Sequence, residues 1–321
     1  MVFKELYQSL LPKLQELESI RIDFLKTRKK IMMICSIIMM GVLLLAFYLM
    51  GAGSGLLGIV FLMLGVLGCL FFYQSSVGSS MNTYRALYKN EVISRIATHI
   101  EPSLAYSPSS GVSKRKFREI GHYSGRIDRY KTEDFFQGKR DLTELYFAEI
   151  HAEYKTTSRD SKGNTRTTWH TLFKGVFFAA DFHKDFNTWV KVRPDKESGV
   201  FGWIGTKMQK LSSSHIRMEN AEFEENFKVN AGNDQEARYI LTPNMQESLL
   251  NLKKYYNVDV IVSFKNGSVY ITMPQKNDWF ESSIFKSALS EKQIESLAGQ
   301  INHFLKIVEE LNLNTRIWMK Q

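Results

Sequence analysis

The chain has 321 residues, 44% of them apolar, and a net charge of +9 that sits almost entirely in residues 1–131, since residues 132–321 balance acid against base. That distribution excludes a uniformly basic nucleic-acid-binding chain and places the positive field near the N-terminus. Its two cysteines, Cys35 and Cys69, both lie inside apolar runs, which excludes a disulfide framework or a cysteine-ligated zinc site elsewhere.

Residues 1–30 read as an amphipathic helix with a stripe of Phe3, Leu6, Leu10, Leu14, Leu17, Ile20 and Phe24. Residues 31–73 follow as a transmembrane hairpin. Ile31–Met50 and Leu56–Tyr73 carry no charge, and twenty residues at about 1.5 Å each give roughly 30 Å, the thickness of the hydrocarbon core. The spans are taken as 31–50 and 55–73, and the short glycine-rich turn between them makes them antiparallel neighbours. Lys26, Arg28, Lys29 and Lys30 precede the first span and Arg85 and Lys89 follow the second, so the positive-inside rule puts both termini in the cytoplasm. Gly58 and Gly65 let the two helices approach closely, and a homodimer contact through the same small face is an alternative use.

A second apolar stripe, Tyr84, Leu87, Tyr88, Val92, Ile96 and Ile100, makes residues 74–101 a stalk helix pairing with residues 1–30. Pro102 ends it, and residues 102–112 read as a linker. Residues 113–321 then form a cytoplasmic α+β domain with a mainly antiparallel sheet. Ser113 caps a short basic helix. Leu142–Tyr154 alternates as a strand, with Glu149, His151 and Glu153 on the face opposite Ala148 and Ile150. A turn with Gly163 leads into a second strand over Trp169–Phe182. Trp189–Val192 is a short strand, Gly202–Leu211 a helix, and Ala237–Leu241 a strand entering a helix capped by Thr242 with Pro243 behind it. Asn266-Gly267 joins two strands, Val258–Phe264 and Ser268–Met273. Ser290 and Gln293 open a C-terminal amphipathic helix carrying Ile294, Leu297, Ile301, Phe304, Leu305, Val308 and Leu311.

Three stretches resemble a known family. Phe173-Lys-Gly-Val-Phe-Phe-Ala-Ala-Asp-Phe182 with Val192-Arg-Pro-Asp195, Gly202-Trp-Ile-Gly-Thr-Lys-Met-Gln-Lys210, and Asp234-Gln-Glu-Ala-Arg-Tyr-Ile-Leu-Thr-Pro243 are similar to the bacterial family catalogued as domain of unknown function 3137. The order of paired spans followed by this domain is also similar. The resemblance implies a membrane-anchored protein of the bacterial inner membrane and a LemA-like membrane protein as a partner. It brings no catalytic residues and no cofactor.

The basic residues Lys114, Arg115, Lys116, Arg118, Arg126 and Arg129 form one segment suited to anionic lipid head groups. Phe117, Tyr123 and Tyr130 are interleaved with them, but no nucleic-acid motif accompanies the pattern, so nucleic acid is not the expected partner. The seven histidines show no metal-pair spacing, and Glu149-His151-Glu153 on one strand face is read as solvated alternation, not as a metal site. His151, Asp181, His183 and Arg238 are the candidates for a common pocket. No nucleophile motif or phosphate loop joins them. Uncharged spans argue against an ion path. The expectation is a non-enzymatic, membrane-anchored interaction or regulatory domain with a protein partner. An anionic-lipid-engaging protein is the first alternative, and an enzyme with a site assembled from distant residues is the second.

Overall fold

The computed structural model describes residues 2–160, 163–182, 184–195, 215–281 and 283–313. His183 and the expected helix over Gly202–Leu211 lie outside the described residues. The chain divides into two compact units, one of residues 1–95 with 281–295 and the other of residues 96–280 with 296–321.

In the first unit, α1 (Val2–Gly51) and α2 (Gly55–Tyr88) run antiparallel through a tight turn. Each is long and apolar enough to cross a membrane. Close approach is built from small residues: a Cβ on Gly65 would stand 2.8 Å from a Val42 methyl, and one on Gly58 2.9 Å from the Ala46 carbonyl oxygen. Outside this seam the band is lined by exposed large apolar side chains, among them Ile37, Leu44, Phe47, Leu56 and Phe71. Residues 1–30 continue the first span without a break. Their stripe of Leu6, Leu10, Leu14, Leu17 and Phe24 is buried, as are Tyr84, Tyr88 and Val92. The expected stalk is therefore present, with one irregularity: Lys89–Ile93 is a π-helical turn before α3 (Ser94–Ile100).

A segment far away in sequence completes this unit. Glu18 accepts a hydrogen bond from the Ala288 amide at 2.8 Å and pairs with Arg21 at 2.7 Å. Arg21 donates to the Ile284 carbonyl at 3.3 Å, Tyr7 to that of Leu289 at 2.7 Å, and Lys89 pairs with Glu281 at 2.9 Å. Residues 281 and 283–290 thus form a strap on the hairpin that local periodicity does not reveal.

In the second unit, nine strands among the described residues form one antiparallel sheet in the order β1-β2-β3-β4-β9-β8-β5-β7-β6. They are β1 (Ala105–Ser107), β2 (Arg129–Arg140), β3 (Thr143–Arg159), β4 (Thr165–Asp181), β5 (Val190–Pro194), β6 (His215–Ile216), β7 (Phe227–Ala231), β8 (Ile261–Lys265) and β9 (Ser268–Pro274). Alternation assigns the faces. On one, Ala148, Ile150, Ala152, Phe173 and Phe177 form a buried core with Val112, Phe117, Ile120, Tyr123 and Ile127, the last four from α4 (Lys114–Glu119) and its exit. On the other, Phe147 stacks on Phe136 and on Phe304 of α8 (Glu291–Glu310), with ring centroids 4.6 Å apart in both pairs. Asn266 and Gly267 turn β8 into β9 with φ of 52° and 68°, as the Asn-Gly pair demands.

Two expectations are corrected. The 102–112 linker contains β1, which pairs with β2 from Ala105↔Gln137 to Ser107↔Phe135, and Val112 is buried, so this stretch belongs to the sheet domain. Ala237–Leu241 is not a strand. Asn233 caps α6 (Asp234–Ile240) by accepting from the Glu236 amide, and this local capping outweighs the strand preference of Tyr239 and Ile240. α5 (Ala221–Asn226) and α7 (Pro243–Tyr256) flank β7 and α6, and Thr242 caps α7 as its sequence predicts.

Candidate functional site

The alternation of β3 that buries Ala148 and Ile150 on one face turns Glu149 and His151 to the other. Glu149 is 8% exposed, and its carboxylate accepts the backbone N–H groups of Trp279 at 2.6 Å and Phe280 at 3.3 Å. Beside it is a cavity of about 90 Å³ lined by Lys131, Glu133, Glu149, His151, Lys174 and Trp279, among others. Burial pushes the Glu149 carboxyl up to about 7, the two amide donors oppose that rise, and the charge of Asp134 adds to it. The neighbouring charges are matched, Lys131 with Glu133 and Lys174 with Asp278 at 2.9 Å. His151 Nε2 is buried without a hydrogen bond, 3.8 Å from the Glu153 carboxylate. The space suits a few water-sized groups rather than a metabolite. Chemically it offers one carboxyl that exchanges its proton near neutrality.

Glu149, His151 and Glu153 do not gather round one point. A register shift between Ala152 and Glu153 breaks the alternation, Glu149 turns to Trp279, and Glu153 pairs with Arg129 at 3.3 Å. The expected pocket partners are likewise dispersed. His151 is opposite Lys174 on β4, and Asp181 lies seven residues further along that strand, about 23 Å away. Asp181 lines a separate cleft of about 700 Å³ with Lys116, Tyr146 and Tyr270. Arg238 is on α6, where it pairs with Asp234 at 3.3 Å and donates to the Arg217 carbonyl at 3.0 Å.

The basic segment is mostly occupied within its own domain. Lys114 donates to the Ile127 carbonyl at 2.6 Å, and Lys116 to the Tyr270 hydroxyl at 3.0 Å. Arg126 pairs with Asp128 at 2.6 Å, and the Arg129 guanidinium lies 3.9 Å from the centre of the Trp169 ring. Among the described residues Arg115 pairs within its own helix, with Glu119 at 3.5 Å and its side chain 90% exposed, and Arg118 is exposed beside it.

Beneath α4 lies a polar group that sequence reading missed. His122 is fully buried, with Nδ1 2.9 Å from Thr272 Oγ1 and Nε2 2.8 Å from Ser263 Oγ. Lys191 is 6% exposed and donates to the Gly121 carbonyl. Burial lowers the basicity of both: His122 falls well below the ordinary imidazole value, and Lys191 drops to about 8. Lys191 within Val190-Lys-Val192 was the available signal, but only the register Lys191↔Ser263 shows what it meets.

Residues 171–313 match the family model described as Protein of unknown function (DUF3137). The matched span contains all three resembling stretches in full. No curated protein matches the chain. The crystal structure of the mycobacterial trehalose monomycolate transport factor A, TtfA, aligns over 68% of this chain and 96% of that one, at 10% identity and a TM-score of 0.33. A likeness that loose carries no argument here.

The matched span starts inside β4 and ends just after α8. It includes Lys191, Ser263 and Thr272 of the buried polar group, and Lys174, Asp278 and Trp279 of the cavity. His122, Glu149 and His151 come from outside it, so both polar groups join residues of the matched span to β3 and the exit of α4, which precede it.

Proposed function

We propose that this protein is held in the bacterial inner membrane by α1 and α2, with both termini in the cytoplasm, and presents its sheet domain there as a non-catalytic interaction module. The observation that carries the anchor is the belt of exposed Ile, Leu, Met and Phe side chains on both helices, a surface far larger and more continuous than scattered surface apolar residues. Basic residues at one end of both spans, and none in the turn between them, support the orientation. The interaction role is supported by the charge matching around the Glu149 cavity and by the small size of that cavity.

The test joins fractionation with topology. Alkaline carbonate should leave the full-length protein in the membrane pellet, and cysteines placed at Ser54 and near the N-terminus should react with an impermeant maleimide on opposite sides. Extraction by carbonate, or labelling of both positions from the same side, would sink the proposal. Co-purification of one stoichiometric membrane partner would support the interaction role.

Exposure of Arg115 and Arg118 favours a narrower second reading, contact between α4 and anionic lipid. Hydrogen exchange over residues 114–119 should slow in nanodiscs containing phosphatidylglycerol and not in neutral ones. Equal exchange in the two would remove this reading.

A further inference from the structure

The strap over residues 283–290 has an inner and an outer side. Ile284 and Ala288 are buried, while Phe285 stands outward, 63% exposed. A tight turn fixes it there, with the Lys286 amide donating to the Ser283 carbonyl at 3.0 Å and the Phe285 amide to Ser283 Oγ at 3.3 Å. Its neighbours give its height along the hairpin. The Arg28 guanidinium lies 5.0 Å from the Phe285 ring centre, and Arg28 Nε donates to the Tyr73 hydroxyl at 3.1 Å. Arg28 precedes Ile31, the start of the first uncharged run, by three residues or about 4.5 Å of helix. Tyr73 is the last residue of the second apolar run, followed by the polar Gln74-Ser-Ser76. These two residues therefore mark the level at which both helices leave the hydrocarbon, and Phe285 lies at that level.

We propose that Phe285 is a third point of membrane attachment, a ring presented by the strap to the boundary between head groups and acyl chains of an anionic bilayer. Aromatic side chains with an apolar body favour that boundary. Charge suits it as well: Lys29 and Lys30 beside Arg28, and Lys286 beside Phe285, are exposed cations facing a surface that attracts them. The proposal rests on the reading that the hairpin spans the bilayer.

Single cysteines carrying a nitroxide label separate the two claims. In the full-length chain with Cys35→Ala and Cys69→Ala, reconstituted in vesicles of phosphatidylcholine and phosphatidylglycerol, three variants are compared: Phe285→Cys, Leu64→Cys in the second span, and Leu142→Cys in the turn between β2 and β3. Leu64 and Leu142 are exposed in the protein, as Phe285 is, so the substitutions leave the cores intact. Collision with oxygen reports lipid, and collision with a water-soluble nickel complex reports water. The label at 285 should shift toward oxygen relative to 142, lying between 142 and 64. If 64 reads lipid and 285 matches 142, the strap attachment is wrong and the hairpin stands. If 64 itself matches 142, the hairpin reading fails and takes this one with it.

Discussion

At the scale of single residues, two buried ionisable groups make the stability of the sheet domain depend on pH in opposite directions. Glu149 has a folded value of about 7 against 4.5 for the free side chain. Its carboxyl is therefore held in the protonated form by the fold, and its contribution is fully present below pH 4.5 and lost as pH rises through 7. The shift corresponds to a penalty of roughly 3 kcal/mol once the group is ionised. Glu149→Gln keeps an acceptor for the Trp279 and Phe280 amides without a charge, so the variant should melt higher than the parent at pH 8 and equally at pH 4.5, read by near-ultraviolet circular dichroism in detergent. An unchanged melting profile across that range would show that the carboxylate is not desolvated. Lys191 works the other way: its folded value of about 8 lies below 10.5, so the cost of burying its charge is present below pH 8 and relieved as pH rises toward 10.5. Lys191→Met removes about 3 kcal/mol of that cost and forfeits about 1 kcal/mol from the bond to the Gly121 carbonyl. The variant should be more stable than the parent at pH 7, with the gain gone by about pH 10.5. A variant that is less stable at pH 7 would mean that the ammonium finds more compensation than one carbonyl provides.

At the scale of elements, the strands held together by local signals were legible and those held by distant partners were not. The hairpin at Asn266-Gly267, the caps at Ser113 and Thr242, and the stripe of α8 each depend on residues within one or two turns of chain, and each forms where the sequence places it. β2 has no strand reading in the sequence, where only its first residues are noted at the end of the basic segment: a bulge between Glu133 and Phe136 shifts its register, so no single alternation runs through it. β1 looks like linker because three residues give no periodicity, and only β2 makes them a strand. The residues of the candidate site follow the same division. His151 was legible from the wet face of β3, but Glu149 acquires its character from amides 130 residues away. Gly175 too is set by a distant partner, and its φ of 153° is one that side chains rarely adopt. A Cβ there would stand 2.1 Å from the Met273 carbonyl oxygen on β9. Gly175→Ala should therefore destabilise the domain by about 2 kcal/mol or more through the β4–β9 pairing, measured by urea unfolding of the full-length protein in detergent. A loss under about 0.5 kcal/mol would mean that the strand pair shifts to accept the methyl group.

At the scale of the whole molecule, the chain does not divide where its two long apolar runs end. Residues 281–295 return to the first unit, so the hairpin and its stalk take part of their structure from the C-terminal third of the sequence. The usual way of making such a protein soluble, deleting everything before the sheet domain, would leave this segment without Glu18, Arg21, Tyr7 and Lys89, its hydrogen-bond and ion-pair partners. Ile284 and Ala288, buried against the hairpin unit, would then face water. Hydrogen exchange distinguishes this view from one in which the strap is held by its own turn. In the full-length protein the Ala288 amide is bound by the Glu18 carboxylate and should exchange slowly; in a fragment beginning at Ile96 it should exchange at a rate close to that of unstructured chain. Val262 and Ile271, opposite each other on the interior strands β8 and β9, serve as the internal reference, and their amides should stay protected in both. Equal protection of Ala288 in the two proteins would show that the strap folds without the hairpin. Slow exchange only in the full-length chain would show that Glu18 on α1 holds a segment some 270 residues away, and that the long helical hairpin and this returning segment fold as one unit.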